Sequence, residues 1–285
     1  MDEEKQNHIK KTRFFKTRLI LALLLVAYIV IDASLANLPD VNRLKGCLKT
    51  SMFKVNLCPE SNAYVRINGI SDIFLHTVIV SEDAAFFSHK GIDKHEIMES
   101  FKKNLQEGGF ARGGSTITQQ LIKNVFYDSE KSISRKIQEI YLSGKLEEVL
   151  TKKIILERYL NVIEFGKNIY GIKAATNYYF NKHPSDINLL ESIYLVHLLP
   201  NPKTYSQGFY KGQLTEFSQD RLRTLIERLL RFGRITNEQA DFAKSRLNEF
   251  PWPMLDFYDN QFLQQTSRKL FSSGIEKTTD ESLNW

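Results

Sequence analysis

Residues 113–124 read Gly-Gly-Ser-Thr-Ile-Thr-Gln-Gln-Leu-Ile-Lys-Asn, and this stretch decides the prediction of the fold. The two glycines free the backbone to approach a ligand, and Ser115 or Thr116 is suited to cap a helix that continues to Phe126. Hydroxyl and amide donors at a helix N-terminus favour anions. The order Gly-x-x-x-x-Gly-Lys-Ser/Thr of a Walker loop is absent. The stretch predicts either an anion-binding site or simply a capped helix start.

Helical signals dominate the chain on both sides of this stretch. Apolar residues recur at helical spacing, and capping pairs such as Asp93 with Glu96 mark several helix starts. Strand signals are sparse, so the sequence predicts a mostly α domain. Helices are expected near residues 93–105, 116–126, 134–150, 151–163, 188–200 and 220–232.

Two adjacent carboxylates, Glu82 and Asp83, directly follow the apolar run Val78-Ile79-Val80. Burial beside apolar surface raises the pKa of a carboxyl group and makes it a better general base at neutral pH. The alternative is an ordinary Glu-Asp pair on the surface of a helix. The residues by themselves leave both interpretations open.

A second charged cluster lies within the predicted helix 134–150. Arg135, Lys136 and Glu139 stand at spacings that place them on one helix face. They form either a solvated ion pair or part of a binding site. The cations precede the acid, which is the weaker orientation for helix stability, and this slightly favours the binding site.

The N-terminus predicts a membrane anchor. A segment rich in Lys and Arg, residues 1–18, precedes the apolar run Leu19–Ile31. Extended to Leu38, the run would form roughly 30 Å of helix, enough to cross a bilayer. The basic flank predicts a cytoplasmic N-terminus, with the rest of the chain on the other side. A signal peptide cleaved near residues 34–36 is the alternative.

Composition and motifs weigh against several other functions. Lys and Arg number 39 and Asp and Glu 33, a net charge of +6 that suits an anionic partner without choosing one. Zinc-protease and serine-hydrolase motifs are absent. The basic helix around Arg221 lacks the aromatic residues and base-reading motifs expected for nucleic-acid binding. Cys47 and Cys58 are equally compatible with a disulfide and with two free thiols.

Taken in order, these clusters closely resemble the peptidoglycan glycosyltransferase family, which comprises the glycan-polymerising domains of class A penicillin-binding proteins and their monofunctional relatives. The resemblance covers roughly residues 70–205, and the motif at 113–124 is its most specific part. The chain ends before a transpeptidase domain would fit, so it resembles the monofunctional members with a single anchor. The other matching residues are Glu82, Asp83, Phe86, His89 and Gly91; Arg135, Lys136 and Glu139; and the stretch 155–161 with Phe165, Gly166, Tyr170, Gly171, Ala174, Ala175, Tyr179 and Phe180.

The chain departs from the family pattern at a few positions. Ala84 and Ala85 stand where polar residues are common, and Ser143 and Gly144 occupy a stretch usually richer in alanine. None of these changes removes a charged motif residue, but Gly144 is expected to weaken its helix.

The resemblance implies a fold and a domain plan. The expected fold is a mostly α, two-lobed, lysozyme-like glycosyltransferase domain on a single N-terminal transmembrane helix. The expected boundaries are a cytoplasmic basic segment at 1–18, an anchor at 19–38, a juxtamembrane segment at 39–70, the glycosyltransferase domain at 71–250 and a tail at 251–285.

The resemblance also implies a reaction, the polymerisation of lipid II into glycan strands by inverting transfer in cell wall biogenesis. Glu82 corresponds to the general base and Glu139 to a second catalytic carboxylate, which either holds a divalent metal such as Mg²⁺ or Mn²⁺ or orients basic residues. No organic cofactor is expected. The implied substrate-binding residues are Asp83, Arg112, Ser115, Thr116, Gln119, Gln120, Lys123, Asn124, Arg135 and Lys136.

The implied partners are lipid II, the growing glycan strand, the bilayer and proteins of cell-wall synthesis or division, with no nucleic acid. The implied location is the inner (plasma) membrane, with the domain on its outer, periplasmic side. Two alternatives remain: a peptidoglycan hydrolase of lysozyme-like fold, since two carboxylates also describe a glycosidase, and an inactive cell-wall scaffold. The basic cluster around Glu139 weighs against the hydrolase, because a neutral glycan does not require it.

Overall fold

The computed structural model describes residues 2–107, 114–130, 132–252 and 257–266, with only the backbone described at 2–13, 101, 104, 107 and 257. Arg112 and Gly113, which belong to the predicted site, lie outside the described residues. So does most of the predicted tail at 251–285. The described part of the chain is mostly helical, which confirms the predicted fold class.

The α-helices account for most of the described residues, and those that the sequence predicted start and end close to the expected residues. The helices are α1 Asp2–Leu35, α2 Asp72–Glu82, α3 Lys94–Glu107, α4 Ile117–Phe126, α5 Ile133–Val149, α6 Lys152–Leu160, α7 Ile172–Phe180, α8 Leu189–Leu198, α9 Pro202–Tyr205, α10 Gln207–Tyr210, α11 Glu216–Arg231, α12 Asn237–Arg246 and α13 Phe257–Gln264.

Strands are few and short where the structure describes the chain. β1 Leu48–Lys49 pairs antiparallel with β2 Asn56–Leu57, and β3 Glu164–Gly166 pairs antiparallel with β4 Ile169–Tyr170. Cys47 and Cys58, which flank the first pair, form a disulfide. The disulfide therefore closes the β1–β2 hairpin, which decides one question that the sequence left open.

Side-chain caps begin the predicted helices, as the sequence indicated. A capping box satisfies backbone N–H groups that the first helical turn leaves without partners. Asp93 accepts a hydrogen bond from the backbone N–H of Glu96 at 3.0 Å. Complete capping boxes form at Thr116 with Gln119, Asn188 with Glu191 and Thr236 with Gln239.

The centre of the domain is built from α2 and α8. Every residue of α8 is buried, and α2 is buried from Ile73 to Val80. The two helices pack on each other, and α11 packs against both. A helix that is apolar on all sides must be covered on all sides, which fixes α2 within the core. The polar end of α2, at Glu82, therefore emerges at the edge of the core.

The N-terminal helix α1 is the described helix that has the length and composition to cross a membrane. Its segment Phe14–Leu35 has 22 residues with a mean hydropathy of 2.2. Its apolar side chains are exposed, unlike those of the apolar core helix α8. The candidate span begins five residues before the predicted Leu19 and ends three before Leu38.

The end of α1 packs against α5, the helix that carries the second charged cluster. Gln138 donates a hydrogen bond from Nε2 to the backbone oxygen of Ser34 at 2.6 Å. This bond satisfies one of the carbonyls that the last turn of a helix leaves without a partner.

The predicted juxtamembrane segment 39–70 is part of the packed domain. Val41, Leu44, Leu57 and Ile67 are buried in the same core as α2 and α8. The packed unit therefore begins earlier than the predicted boundary at residue 71. The apolar residues of this segment occur in short groups that sustain no long helical or strand period, which explains why the sequence did not reveal their burial.

Gly91 lies close to the backbone of α5 at Ser143 and Gly144. Substitutions at Gly91 and Gly144 therefore provide a matched test of this close approach. Gly91 has φ +83°, and a Cβ there would lie 2.7 Å from the backbone carbonyl of Ser143. We expect Gly91→Ala to destabilise the protein by about 1–3 kcal/mol or more, because the backbone strain at a positive φ and the overlap of the new Cβ with the carbonyl both contribute. The measurement is thermal unfolding of the full chain in detergent.

Gly144→Ala is the control. A Cβ at Gly144 meets nothing within 4 Å, and the residue lies inside α5. This change is expected to stabilise the protein by about 0.5–1 kcal/mol, since glycine weakens a helix interior. Equal effects of the two substitutions would contradict the close approach at Gly91.

Candidate active site

Glu82 is the last residue of α2 and faces α4. Gln120 donates from Nε2 to Oε2 of Glu82 at 3.1 Å, and its Oε1 accepts a hydrogen bond from the hydroxyl of Tyr159 at 3.0 Å. A hydroxyl donor on Oε1 sets the orientation of the amide, so its NH₂ group must face the carboxylate. The chain from Tyr159 through Gln120 therefore positions Glu82.

The environment of Glu82 raises its pKa above the ordinary value. Burial is the main cause, since it penalises the charged form. Hydrogen bonds from Gln120 and Ser81 and the charges of Arg221 and Arg228 oppose it. The alternative of a solvated surface pair is therefore wrong for Glu82.

The two arginines belong to α11 and were not recognised in the sequence as part of this site. Arg228 donates from its guanidinium to the backbone oxygen of Val80, two residues before Glu82. The sequence indicated only that α11 is basic and amphipathic. Because α11 meets α2 only through tertiary packing, no local pattern linked these residues to Glu82.

Asp83 is buried and fully engaged within the protein. Its Oδ2 accepts a hydrogen bond from the backbone N–H of Ile117 at 2.9 Å, and its Oδ1 lies 2.9 Å from Nε2 of His89. Ile117 is the first residue of α4, so Asp83 satisfies a backbone donor that the helix start leaves free. These contacts tie the end of α2 to the start of α4.

Glu139, which is only 3% exposed, lies at the centre of the second charged cluster. Nε of Arg135 lies 2.9 Å from Oε1 of Glu139, and Nζ of Lys136 lies 3.3 Å from Oε2. Lys136 also donates to Oγ of Ser115 at 2.9 Å. A buried carboxylate held by two cations is not a solvated surface pair, so the site interpretation of this motif is the better one.

Lys123 interacts electrostatically with both carboxylates, Glu82 and Glu139. Burial lowers its pKa, while the charges of Glu139 and, less strongly, Glu82 raise it. Lys123 follows Gln120 by three residues on α4, so the two side chains share a face about 4.5 Å apart along the helix axis. Helix α4 therefore presents an amide to Glu82 and a cation that interacts electrostatically with Glu139 and, less strongly, with Glu82.

Three of the predicted substrate-binding residues make contacts within the protein. Thr116 and Gln119 bond each other in the capping box, and Thr116 also donates to the backbone oxygen of Gly91 at 2.8 Å. Asn124 is buried, and its backbone oxygen accepts from the N–H of Met52 at 3.3 Å. The structure brings together Glu82, Ser115, Gln120, Lys123, Arg135, Lys136 and Glu139.

A divalent metal on Glu139 was predicted as one role for this carboxylate. Among the described residues, no group of three or more His, Cys, Asp or Glu side chains is placed to hold a metal ion. Glu139 is ion-paired with two cations and interacts with a third, Lys123. This donor set does not fit a metal held by protein ligands, and we assign no step to one.

Together, the fold and the site define a mostly helical domain in which a buried carboxyl group faces a cationic cluster at the edge of the core. A family model described as Transglycosylase matches residues 50–229. The match covers more than half of the chain, and the protein therefore belongs to the transglycosylase family.

Similar curated proteins carry related names. A "Biosynthetic peptidoglycan transglycosylase" of Acinetobacter baumannii (strain SDF) is 40% identical over 147 residues, which cover 52% of this chain and 65% of the relative. One from Nitrosomonas eutropha is 44% identical over 142 residues, or 50% and 58% of the two chains. "Penicillin-binding protein 1F" of Bacillus subtilis is 33% identical over 227 residues, or 77% and 31%. The chain therefore spans less than two thirds of the length of these relatives.

The partly buried position of Glu82 leads to a prediction about stability. Because folding raises the pKa of Glu82, its ionisation at neutral pH opposes folding. We expect Glu82→Gln to raise the melting temperature at pH 7–8, since the neutral amide retains the bond from Gln120. Thermal unfolding measured against pH checks this.

The difference from the wild type should shrink as the pH falls from the raised pKa of folded Glu82 towards the ordinary glutamate value of about 4.3, and it should vanish below that value, where Glu82 is protonated in both the folded and the unfolded state. Glu148→Gln, at an exposed position of α5, is the control and should have little effect. A lower melting temperature for Glu82→Gln at pH 7–8 would show that the ionised carboxylate stabilises the fold.

Proposed function

We propose that this protein is a peptidoglycan glycosyltransferase that polymerises lipid II into glycan strands. The observation that carries the proposal is the placement of Glu82, with its raised pKa, beside a cluster of cations on α4 and α5. A base and an anion-binding cluster on one side of α4 suit a reaction in which a hydroxyl attacks and a pyrophosphate departs. Family membership and the names of the relatives support the same reaction.

In the proposed reaction, Glu82 acts as the general base. Its carboxylate takes the proton from the 4-hydroxyl of one sugar while that oxygen bonds to C1 of the next. The bond from C1 to the lipid pyrophosphate breaks, the electron pair leaves with the pyrophosphate, and the configuration at C1 inverts. A raised pKa makes the carboxylate a stronger base at neutral pH.

The cations act on the leaving group. Lys123, Arg135 and Lys136 are placed to bind the pyrophosphate and to stabilise the negative charge that develops as it leaves. Pyrophosphate is already a good leaving group, so these side chains replace a general acid. Glu139 orients Arg135 and Lys136 through its two carboxylate oxygens.

The anchor places this site at the membrane that holds the substrate. We propose that α1 spans the membrane uncleaved, with the catalytic domain on the outer, periplasmic side of the inner membrane. The contact of Gln138 with Ser34 supports an uncleaved helix, because the end of α1 is part of the packed domain. The disulfide of Cys47 with Cys58 suits an oxidising compartment. Proteins of cell-wall synthesis or division are proposed partners.

Polymerisation of purified lipid II by the full chain in detergent tests this function. The wild type is expected to form glycan strands, resolved by length on a gel. Glu82→Gln should lower kcat by about 10²-fold to 10⁴-fold, the usual contribution of a general base. The exposed Glu148→Gln is the matched control and should polymerise like the wild type.

The other outcomes separate the alternatives. Shortening of preformed glycan strands by the wild type, without synthesis, would identify a hydrolase. No product from a folded wild type would favour a scaffold without catalytic activity. Full activity of Glu82→Gln would remove Glu82 from the role of base.

The pH profile tests the protonation state of the base. Because burial raises the pKa of Glu82, kcat/KM should fall with decreasing pH above the ordinary glutamate range. The hydrogen bond from Gln120 favours the charged form and so lowers that pKa. Gln120→Ala should therefore move the acid limb of kcat/KM to higher pH.

Gln207→Ala is the control for this experiment. Gln207 also donates a hydrogen bond from its side-chain amide, but to the backbone oxygen of Lys203 at an exposed position. Its removal should leave the acid limb unchanged. A shift of the limb to lower pH in Gln120→Ala would contradict the assigned hydrogen bond.

A further inference from the structure

Four ionisable side chains form a continuous chain behind the proposed site. Oε1 of Glu147 accepts a hydrogen bond from Nζ of Lys152 at 2.7 Å. The same ammonium lies 3.4 Å from Nδ1 of His89, and Nε2 of His89 lies 2.9 Å from Oδ1 of Asp83. Because Asp83 holds the first N–H of α4, the chain links the start of α6 to the start of α4.

The chain is enclosed by the protein. The side chain of Lys152 is 15% exposed, and those of Glu147, His89 and Asp83 are 8% exposed or less. Burial lowers the pKa of Lys152, and the hydrogen bond to Glu147 opposes this. The ammonium also lies 4.4 Å from the centre of the Phe86 ring, a cation–π contact. Burying a charged lysine costs free energy, so the enclosed position of Lys152 indicates a specific role for this side chain.

The geometry assigns each proton along the chain. An ammonium can only donate, so Nδ1 of His89 must be the acceptor and carries no proton. Nε2 then carries the N–H and donates a hydrogen bond to Asp83. Asp83 accepts from both His89 and the backbone of Ile117 and stays aligned with α4. Lys152 thus selects the tautomer in which His89 can hold Asp83.

We propose that Lys152 is a positioning residue, which acts through His89 and Asp83 to hold the start of α4 against the end of α2. The idea rests on the proposed glycosyltransferase function and deepens it. Gln120, Lys123 and Ser115 all depend on the start of α4 for their places relative to Glu82. Lys152 therefore controls catalysis without lying among the cations proposed to bind the substrate.

Glu147 has a separate role in this arrangement. Its Oε1 also accepts the hydroxyl of Thr118, at 2.6 Å, so it joins α4 to the ammonium. Removing Lys152 alone leaves the carboxylate of Glu147 buried without its cation, which destabilises the fold. Changing Glu147→Gln in addition removes that charge while its amide oxygen can still accept from Thr118. The double variant thus separates stability from positioning.

The experiment compares Lys152→Met with Lys152→Met/Glu147→Gln in the full chain in detergent. Thermal unfolding and the kcat and KM for lipid II are measured for each. The double variant is expected to recover stability relative to the single one. Its kcat should remain about tenfold to 100-fold below that of the wild type, with a smaller change in KM, because His89 still lacks its ammonium.

The adjacent ion pair provides matched controls. Lys145 pairs with Glu148 on α5 at 3.0 Å, and its side chain is 46% exposed. Lys145→Met and Glu148→Gln should leave kcat close to that of the wild type. Recovery of kcat together with stability in the double variant would overturn the positioning role, and so would a wild-type kcat in a folded Lys152→Met.

A readout that does not require activity separates this proposal from the function on which it rests. In ¹⁵N-histidine NMR spectra, His89 should show the tautomer protonated at Nε2. Lys152→Met should shift the Nδ1 resonance, which loses its donor, whereas Lys145→Met should not. An unchanged Nδ1 resonance in Lys152→Met would overturn the proposal even in an active enzyme. Absence of polymerisation with the expected NMR result would refute the glycosyltransferase function alone.

Discussion

The architecture of the site depends on one hydrogen bond, from the backbone N–H of Ile117 to the carboxylate of Asp83. Asp83 directly follows the last residue of α2, and Ile117 is the first of α4, so this bond sets the two helices against each other at the edge of the core. Asp83 is itself held by His89. A carboxylate at a helix start both satisfies a free N–H and complements the helix dipole. The acid next to the proposed base therefore holds the two helices together.

Once α4 is placed, its helical period distributes the proposed chemistry. Gln120 and Lys123 share a face; the first orients Glu82, and the second interacts electrostatically with Glu139 and, less strongly, with Glu82. Helix α5 supplies Arg135 and Lys136 and holds them with a buried carboxylate. Because α1 packs on the same helix through Gln138, the proposed membrane anchor contacts the helix that carries the cationic cluster. This geometry suits a substrate whose lipid lies in the bilayer and whose pyrophosphate must reach the cations.

The sequence was most informative where local rules act. Capping pairs, apolar periods and the charged motifs predicted the starts of α4 and α8 and the fold class. It was less informative where partners are distant in the chain. The sequence left open whether Thr116 caps α4 or binds a ligand, because a hydroxyl group suits either role, and the structure shows that Thr116 and Gln119 cap the helix. The sequence did not indicate that Arg228 lies near Glu82, since its hydrogen bond to Val80 joins residues far apart in the chain.

The sequence by itself determined the family, the membrane-compatible apolar helix and the residue types of the site, because these depend on residue identity and short-range spacing. Only the tertiary structure decided which charges are buried, and therefore which carboxyl group has its pKa raised. It also decided that Cys47 bonds to Cys58 and that residues 39–70 belong to the core. The physical reason is that burial and desolvation depend on everything packed around a group, including helices such as α11 that lie more than a hundred residues away in the chain.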